Sequence, residues 1–268
     1  MIHHRAENQP IVVDPQEMKC EGIIFAHDEQ EVNGYYYLSP SAQSQLPGYQ
    51  YSGKDNSLVY KYILSPLATF LVNNLTPQWL APNTITLLGL ALMGVSYSFM
   101  WYYCPKLDEG LGEGVPHWIF LFNCVAMITY QTLDNMDGKQ ARRTKSSSPL
   151  GLLFDHGCDS LNSLPGAVNW AVACGLGFTF DPVQAWFVIS CPMTLFYITT
   201  WEEYYTHELI LPIINGPTEG LIIGAMVSLS TCLYGQAFWL QTNWYEQAIE
   251  PILVPYLPSF VTTIIPEQ

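Results

Sequence analysis

Charge is what this chain has least of. Only 12% of its 268 residues are Asp, Glu, Lys or Arg, about half the fraction usual in a soluble domain. Basic residues are the scarcest: 9 Lys+Arg against 23 Asp+Glu leave a formal net charge of -14, and such a polyanion has no electrostatic means of holding nucleic acid. From 146 to 268 there is no Lys or Arg at all. The 7 cysteines include no C-x-x-C pair and mostly sit in apolar runs, which points to neither a zinc site nor a disulfide framework. The chain does not open on a basic segment followed by an apolar one, so no cleaved signal is visible and membrane insertion must use internal segments. Internal repeats and low-complexity tracts are also missing.

What is abundant is apolar: 49% of residues are hydrophobic and 14% aromatic. Residues 1–48 are a polar, acidic arm. Over 58–75, Leu58, Tyr62, Leu64, Leu67, Phe70, Leu71 and Leu75 recur at helical spacing beside Lys61, Ser65 and Asn73, the pattern of an amphipathic helix lying on a membrane surface or, alternatively, of a soluble docking helix. Five apolar runs follow, at 85–103, 118–133, 161–178, 185–201 and 221–240, matched to a hydrocarbon core that a helix of about 20 residues crosses. Trp101, Trp118, Trp186, Trp201 and Trp239 stand near their ends, as interfacial aromatics do. The fold expected is therefore all-α, a polytopic transmembrane helix bundle over 49–245. A Pro-rich apolar tail, 246–268, reads as an incomplete span. Arg5, Lys19, Lys54 and Lys61 precede the first run and Lys139, Arg142, Arg143 and Lys145 follow the second, with only Lys106 between them. Those two flanks should face the cytoplasm.

One polar segment between two runs holds four aspartates, Asp134, Asp137, Asp155 and Asp159, and four of the 9 basic residues. If Asp134 ends one helix and Asp159 begins the next, the i,i+3 and i,i+4 pairs each share a helical face, and two facing helices present four carboxylates to one point. At membrane depth each costs at least about 2.5 kcal/mol and they repel one another, so something cationic must compensate. Hard divalent cations, Mg²⁺ or Mn²⁺ in a pair, with phosphate completing their shells, meet that need. Arg142, Arg143 and Lys145 could clamp phosphate, and Gly138 and Ala141 open a groove on the helix that suits a flat nucleobase. The plainer alternative is that the aspartates merely pair with the neighbouring Arg and Lys.

The pattern D-x-x-D-G-x-x-A-R-x(8)-G-x-x-x-D-x-x-x-D is met at Asp134, Asp137, Gly138, Ala141, Arg142, Gly151, Asp155 and Asp159 without departure, and in this the chain resembles the CDP-alcohol phosphatidyltransferases. The segments YSGKDNSLVYKYILSP, DGKQARRTKSSSPLGLLFDHGCDS and WEEYYTHELILPIINGPTEG, with Pro82-Asn83-Thr84 opening the first span, look like the eukaryotic choline/ethanolamine phosphotransferase branch. That resemblance implies an endoplasmic-reticulum membrane enzyme, its site on the cytoplasmic side, which moves phosphocholine or phosphoethanolamine from CDP-choline or CDP-ethanolamine to diacylglycerol and releases CMP. It further implies Asp134, Asp137 and Asp155 as ligands of divalent metal, Asp159 as ligand or base, and His156 as a second candidate base. Asn83, Gly138, Ala141, Arg142 and Gly151 would line the CDP-alcohol pocket, and a homodimer is expected. Members of the branch continue through several more helices than this chain has.

Three other readings compete: an inositol- or glycerophosphate-using relative, a truncated non-catalytic membrane partner, and an ion transporter using intramembrane carboxylates. Glu202, Glu203, His207 and Glu208 read as a hydrated interfacial patch rather than a metal cluster, and Glu219 as a helix N-terminal charge. His3, His4, His27 and His117 receive no role.

Overall fold

The computed structural model describes residues 46–48, 51–105, 107, 114–177 and 182–240. The acidic arm over 1–45, Lys106 and the tail over 246–268 lie outside the described residues. Seven α-helices and one pair of short strands are present among them. Helix α1 (Ser65–Asn74) continues a π-wound turn, Tyr60–Leu64. Then come α2 (Pro82–Tyr103), α3 (His117–Thr144), α4 (Pro149–Ala173), α5 (Pro182–Thr206), α6 (Leu221–Tyr234) and α7 (Ala237–Leu240). Strand β1 (Gly53–Asp55) runs parallel to β2 (Leu209–Leu211).

Local chemistry fixes the helix ends that matter to the site. Pro82 follows the extended cap Ala81, so its missing N–H falls where no intrahelical partner exists. Helix α4 starts the same way: extended Ser148 accepts from the Gly151 N–H at 3.0 Å, with Pro149 in the first turn. Helix α3 stops where Lys145 turns left-handed (φ 57) and the Ser146 N–H reaches back to the Ala141 carbonyl. Two sharp signals thus compress the α3–α4 connection to residues 145–148. The third apolar run starts at 161 by hydropathy, but its helix begins at Pro149, because this cap and proline start it inside the polar segment. Asp134 and Asp159 accordingly lie within their helices rather than at the ends. The fifth run, unbroken over 221–240 in hydropathy, is divided at Gly235 (φ 78), whose left-handed backbone ends α6.

Helix α3 lies between α2 and α6, and α2 also carries α4, whereas the consecutive helices α3 and α4 meet at few points. A gap therefore opens between α3 and α4, with α2 behind it. Three apolar clusters stack along the bundle. Met100, Ile119, Phe120, Val172 and Val227 fill one end, Met93, Ala126, Met127, Tyr130 and Ala225 the middle, and Ala68, Val72, Ile85 and Met136 the end nearest α1. Among them lies a fully buried polar node: Ser96 Oγ and Asn169 Nδ2 both donate to Asn123 Oδ1 at 2.8 Å, and Asn123 Nδ2 donates to Ser228 Oγ at 2.8 Å. It ties four helices at one level through neutral donors and acceptors, while Asn169 Oδ1 stays buried without a partner. By length and composition, α2 and α5 are long and apolar enough to cross a membrane. Ala185 is the single buried residue described on α5, which leaves Trp186, Phe187, Leu195 and Tyr197 exposed.

Candidate active site

Three of the four motif aspartates converge. Asp134 and Asp137 on α3 and Asp155 on α4 bring one carboxylate oxygen each within 4.8 Å of one another across the gap. The backbone and α2 hold Asp137 in place, Thr86 Oγ1 donating to one oxygen at 2.6 Å and the Gly138 N–H to the other at 2.5 Å. Asp155 Oδ1 is buried and has no hydrogen-bond partner. Asp159, one turn after Asp155 on α4, lies beside Asp134 and accepts from Tyr130 Oη through its Oδ1 at 2.5 Å.

The neighbouring cations do not neutralise the cluster. Arg143 donates to the Val72 and Thr76 carbonyls, Gln140 to those of Pro77 and Leu80 at 3.0 and 2.9 Å, and Lys139 to Ser65 Oγ at 2.9 Å. These side chains strap α1 and the turn after it to α3, Arg143 and Gln140 satisfying carbonyls that the end of α1 leaves open. This corrects one expectation, since Arg143 is a strut to α1 rather than a phosphate clamp. The alternative in which the aspartates merely pair with neighbouring Arg and Lys is not seen for Arg143 or Lys139, which contact α1 and the turn after it. Arg142 is exposed and its guanidinium lies 3.6 Å from where a Cβ on Gly138 would stand. Lys145 is the exposed cap residue of α3.

A site made only of carboxylate oxygens, one of them an orphan acceptor, attracts cations with hard oxygen-seeking character, and Mg²⁺ or Mn²⁺ fits that donor set. Asp134, Asp137 and Asp155 are the residues that would hold it. Around them the structure gathers most of the other residues marked in the sequence. Gly138 and Ala141 follow Asp137 along α3, and Asn83 Oδ1 lies 3.9 Å from the position of a Cβ on Gly151. The start of α2 and the start of α4 thus meet beside the gap. His156, next to Asp155, meets the Tyr51 ring edge-on at a centroid distance of 6.2 Å.

The rim beyond Tyr51 joins two segments that the sequence marks only by resemblance, 49–64 and 201–220, through hydrogen bonds that it does not foretell. Asp55 accepts from the Ser57 N–H at 2.8 Å, from Asn215 Nδ2 at 3.1 Å and from Thr218 Oγ1 at 3.1 Å. Ser57 Oγ donates to one oxygen of Glu219 at 2.5 Å, and the other accepts from the Asn215 N–H at 3.0 Å. From inside, Gln131 Nε2 donates to the Pro217 and Thr218 carbonyls at 2.9 and 2.7 Å. Glu219 is therefore a clasp residue and not merely a helix-terminal charge. Asn215-Gly-Pro-Thr218 does carry an Asx-cap signal, since Asn215 Oδ1 accepts from the Thr218 N–H at 2.8 Å. Thr86, one turn beyond Asn83, and Tyr130, one turn before Asp134, carry no comparable signal. Exposed His207 (φ 58) is the turn between α5 and β2, and the described residues show no metal-ligand cluster around it.

Comparison with known proteins agrees with this geometry. The sequence profile of the CDP-alcohol phosphatidyltransferases matches residues 79–250, which contain the whole aspartate motif. The chain is 40% identical over 205 residues to choline/ethanolaminephosphotransferase 1 of Arabidopsis thaliana, covering 76% of this chain and 50% of that protein. It is 37% identical over 205 residues to choline/ethanolaminephosphotransferase 1 of Saccharomyces cerevisiae, again 76% of this chain and 50% of the relative. With cholinephosphotransferase 1 of Xenopus laevis it shares 37% identity over 204 residues, 75% of this chain and 48% of the relative. The chain spans about half the length of these relatives.

Proposed function

The chain belongs to the CDP-alcohol phosphatidyltransferase family, and on that premise we propose that it transfers phosphocholine or phosphoethanolamine from the CDP-alcohol to diacylglycerol and releases CMP. The observation that carries this reading is the meeting of Asp134, Asp137 and Asp155 across the α3–α4 gap, in a family whose members handle a CDP ester. The names of the relatives support transfer of a phosphocholine or phosphoethanolamine head group over an inositol-type reaction.

Divalent metal bound there, Mg²⁺ or Mn²⁺, would neutralise the pyrophosphate and the charge that gathers on the departing CMP. The remaining work falls to the protein. Asp134, Asp137 and Asp155 would hold that metal, Gly138, Ala141, Asn83 and Gly151 leave room for the nucleotide, and exposed Arg142 reaches a phosphate oxygen. The lipid hydroxyl attacks the phosphorus that bears the amino alcohol, the new P–O bond forming as the bond to CMP breaks. Asp159, or His156 beside the cluster, receives the hydroxyl proton. No covalent enzyme intermediate is needed.

The exposed apolar side chains of α5, and Tyr62, Ile63, Leu67 and Phe70 before and on α1, support a bilayer setting in which α2 to α6 span and α1 lies at the interface. The basic residues at 139–145 support a cytoplasmic face for the aspartates, and phospholipid synthesis supports the endoplasmic reticulum. A homodimer would cover part of the α5 surface. Purified 268-residue chain in lipid should release CMP and form labelled phospholipid from CDP-choline or CDP-ethanolamine with diacylglycerol, only with Mg²⁺ or Mn²⁺, and Asp155→Asn should not. CDP-alcohol binding without turnover would leave a non-catalytic partner, and no binding at all would sink the enzymatic reading.

A further inference from the structure

Building on the transfer to a lipid acceptor proposed above, we infer that the cleft between the lead-in to α1 and the turn after β2 seats an acyl chain of that acceptor, a neutral glycerolipid, while its hydroxyl lies at the aspartates. The cleft is open, about 740 Å³ in volume, and lined by Asn56, Leu58, Pro212, Ile213 and Ile214, within the roughly 300–1,000 Å³ of small-ligand sites. The arch 211–215 is tied at both ends. The Asn56 N–H and Nδ2 donate to the Leu211 carbonyl at 3.1 Å, and Asn215 Nδ2 donates to Asp55 Oδ1 at 3.1 Å. Between the ties Ile213 and Ile214 are 59% and 76% exposed, and Leu58 opposite them is 56% exposed. A turn that faces water ordinarily carries Gly, Asn, Asp or Ser. Two isoleucines held out on a tied arch mark a surface that meets something apolar.

Continuity and reach identify that partner as the acceptor lipid. Leu58 leads into Tyr62, Ile63, Leu67 and Phe70, all exposed before and along α1, so the cleft opens on the apolar stripe proposed above to lie at the bilayer interface. None of its lining residues is charged, as suits hydrocarbon. The CDP-alcohol has no hydrocarbon chain to place there, whereas the acceptor has. Tyr51, five residues before Asn56 and so at most about 18 Å of extended backbone away, meets His156 beside Asp155. One leaflet of hydrocarbon is about 15 Å deep, half of the roughly 30 Å core. A glycerolipid with its hydroxyl at the aspartates therefore has acyl chains long enough to reach the cleft. Covering Leu58, Ile213 and Ile214 with such a chain removes apolar surface from water on both partners.

The test is photolabelling of the full protein in phosphatidylglycerol vesicles by a diacylglycerol with a diazirine at the end of one acyl chain, the labelled residues being located by mass spectrometry. Label should fall on 56–58 and 212–214 and drop about ten-fold with excess unlabelled dioleoylglycerol. Label on Phe187 and Leu195, exposed on α5, should not be displaced, because bilayer exposure alone does not saturate. In CMP release, Leu58→Asn with Ile213→Asn should raise the KM for dioleoylglycerol about ten-fold with kcat and the KM for CDP-alcohol unchanged. The KM for dihexanoylglycerol, whose chains are too short to reach the cleft, should change less than about two-fold. Both positions are more than half exposed, so the fold tolerates them. Label at the cleft that is not displaced, or equal KM changes for the two acceptors, overturns the assignment. So does a cleft covered by a second copy of the protein, read as loss of an oligomer in the double variant with the dioleoylglycerol KM unchanged. Displaceable label without CMP release from any acceptor would instead bring down the transfer reading on which this inference rests.

Discussion

Asn123 and Asp137 lie on the same helix, both buried against α2, and the polar clusters around them are assembled in opposite ways. The amide node of Asn123 with Ser96, Asn169 and Ser228 mixes donors with acceptors, with Asn169 Oδ1 alone among its side-chain oxygens left without a partner. The cluster of Asp137 with Asp134 and Asp155 consists of acceptors facing acceptors, one of them orphaned. Neutral groups that satisfy one another hold helices in register. Like-charged groups that cannot do so are held together by the rest of the fold, and are available to whatever brings positive charge.

Substitution should separate the two clusters cleanly. Asp155→Asn removes the orphan carboxylate and should cut CMP release about a hundred-fold or more, from the several kcal/mol that charge stabilisation supplies, while metal-free thermal stability holds or rises. Mn²⁺ at about 100 times its dissociation constant should stabilise the wild-type chain by about 2.7 kcal/mol and Asp155→Asn far less, read as the shift of a thermal unfolding curve. Asn123→Leu should do the reverse, costing about 2 kcal/mol as its three partners lose their bonds, with turnover per folded molecule unchanged. If Asn123→Leu instead abolished turnover in well-folded protein, the division between a structural and a functional cluster would be broken. Ser57→Ala, at the rim, should cost about 1 kcal/mol and show mainly as faster hydrogen exchange in residues 209–219.

Much of this is legible in the sequence, for reasons that can be named. The i,i+3 and i,i+4 aspartates share faces because helical periodicity dictates it, and the run at 85–103 lies within α2 because composition at that length leaves little choice. Ser148-Pro149 announces the start of α4, but hydropathy overlooks it because Asp155, His156 and Asp159 interrupt the apolar run of its first three turns. The breaks in legibility fall where tertiary neighbours decide. Nothing local tells Thr86 that it will face Asp137, or tells Tyr130 that its hydroxyl will meet Asp159 rather than solvent. Arg143 resembles a phosphate ligand in sequence, and becomes a strut only because the end of α1 offers it carbonyls.

The pairing of β1 with β2 also sets a timetable. Asn56 bonds to Leu211 across 155 residues of chain, so the rim waits for its second half through the synthesis of five helices. At about 5–20 residues per second, that is a delay of roughly eight to thirty seconds, and for about the last third of it, from Asp159 to Leu211, all four aspartates are made and β2 is not. A nascent chain can therefore take its place in the membrane before it owns a finished mouth, and completion of β2 and the Asn215–Glu219 turn is the step that closes it.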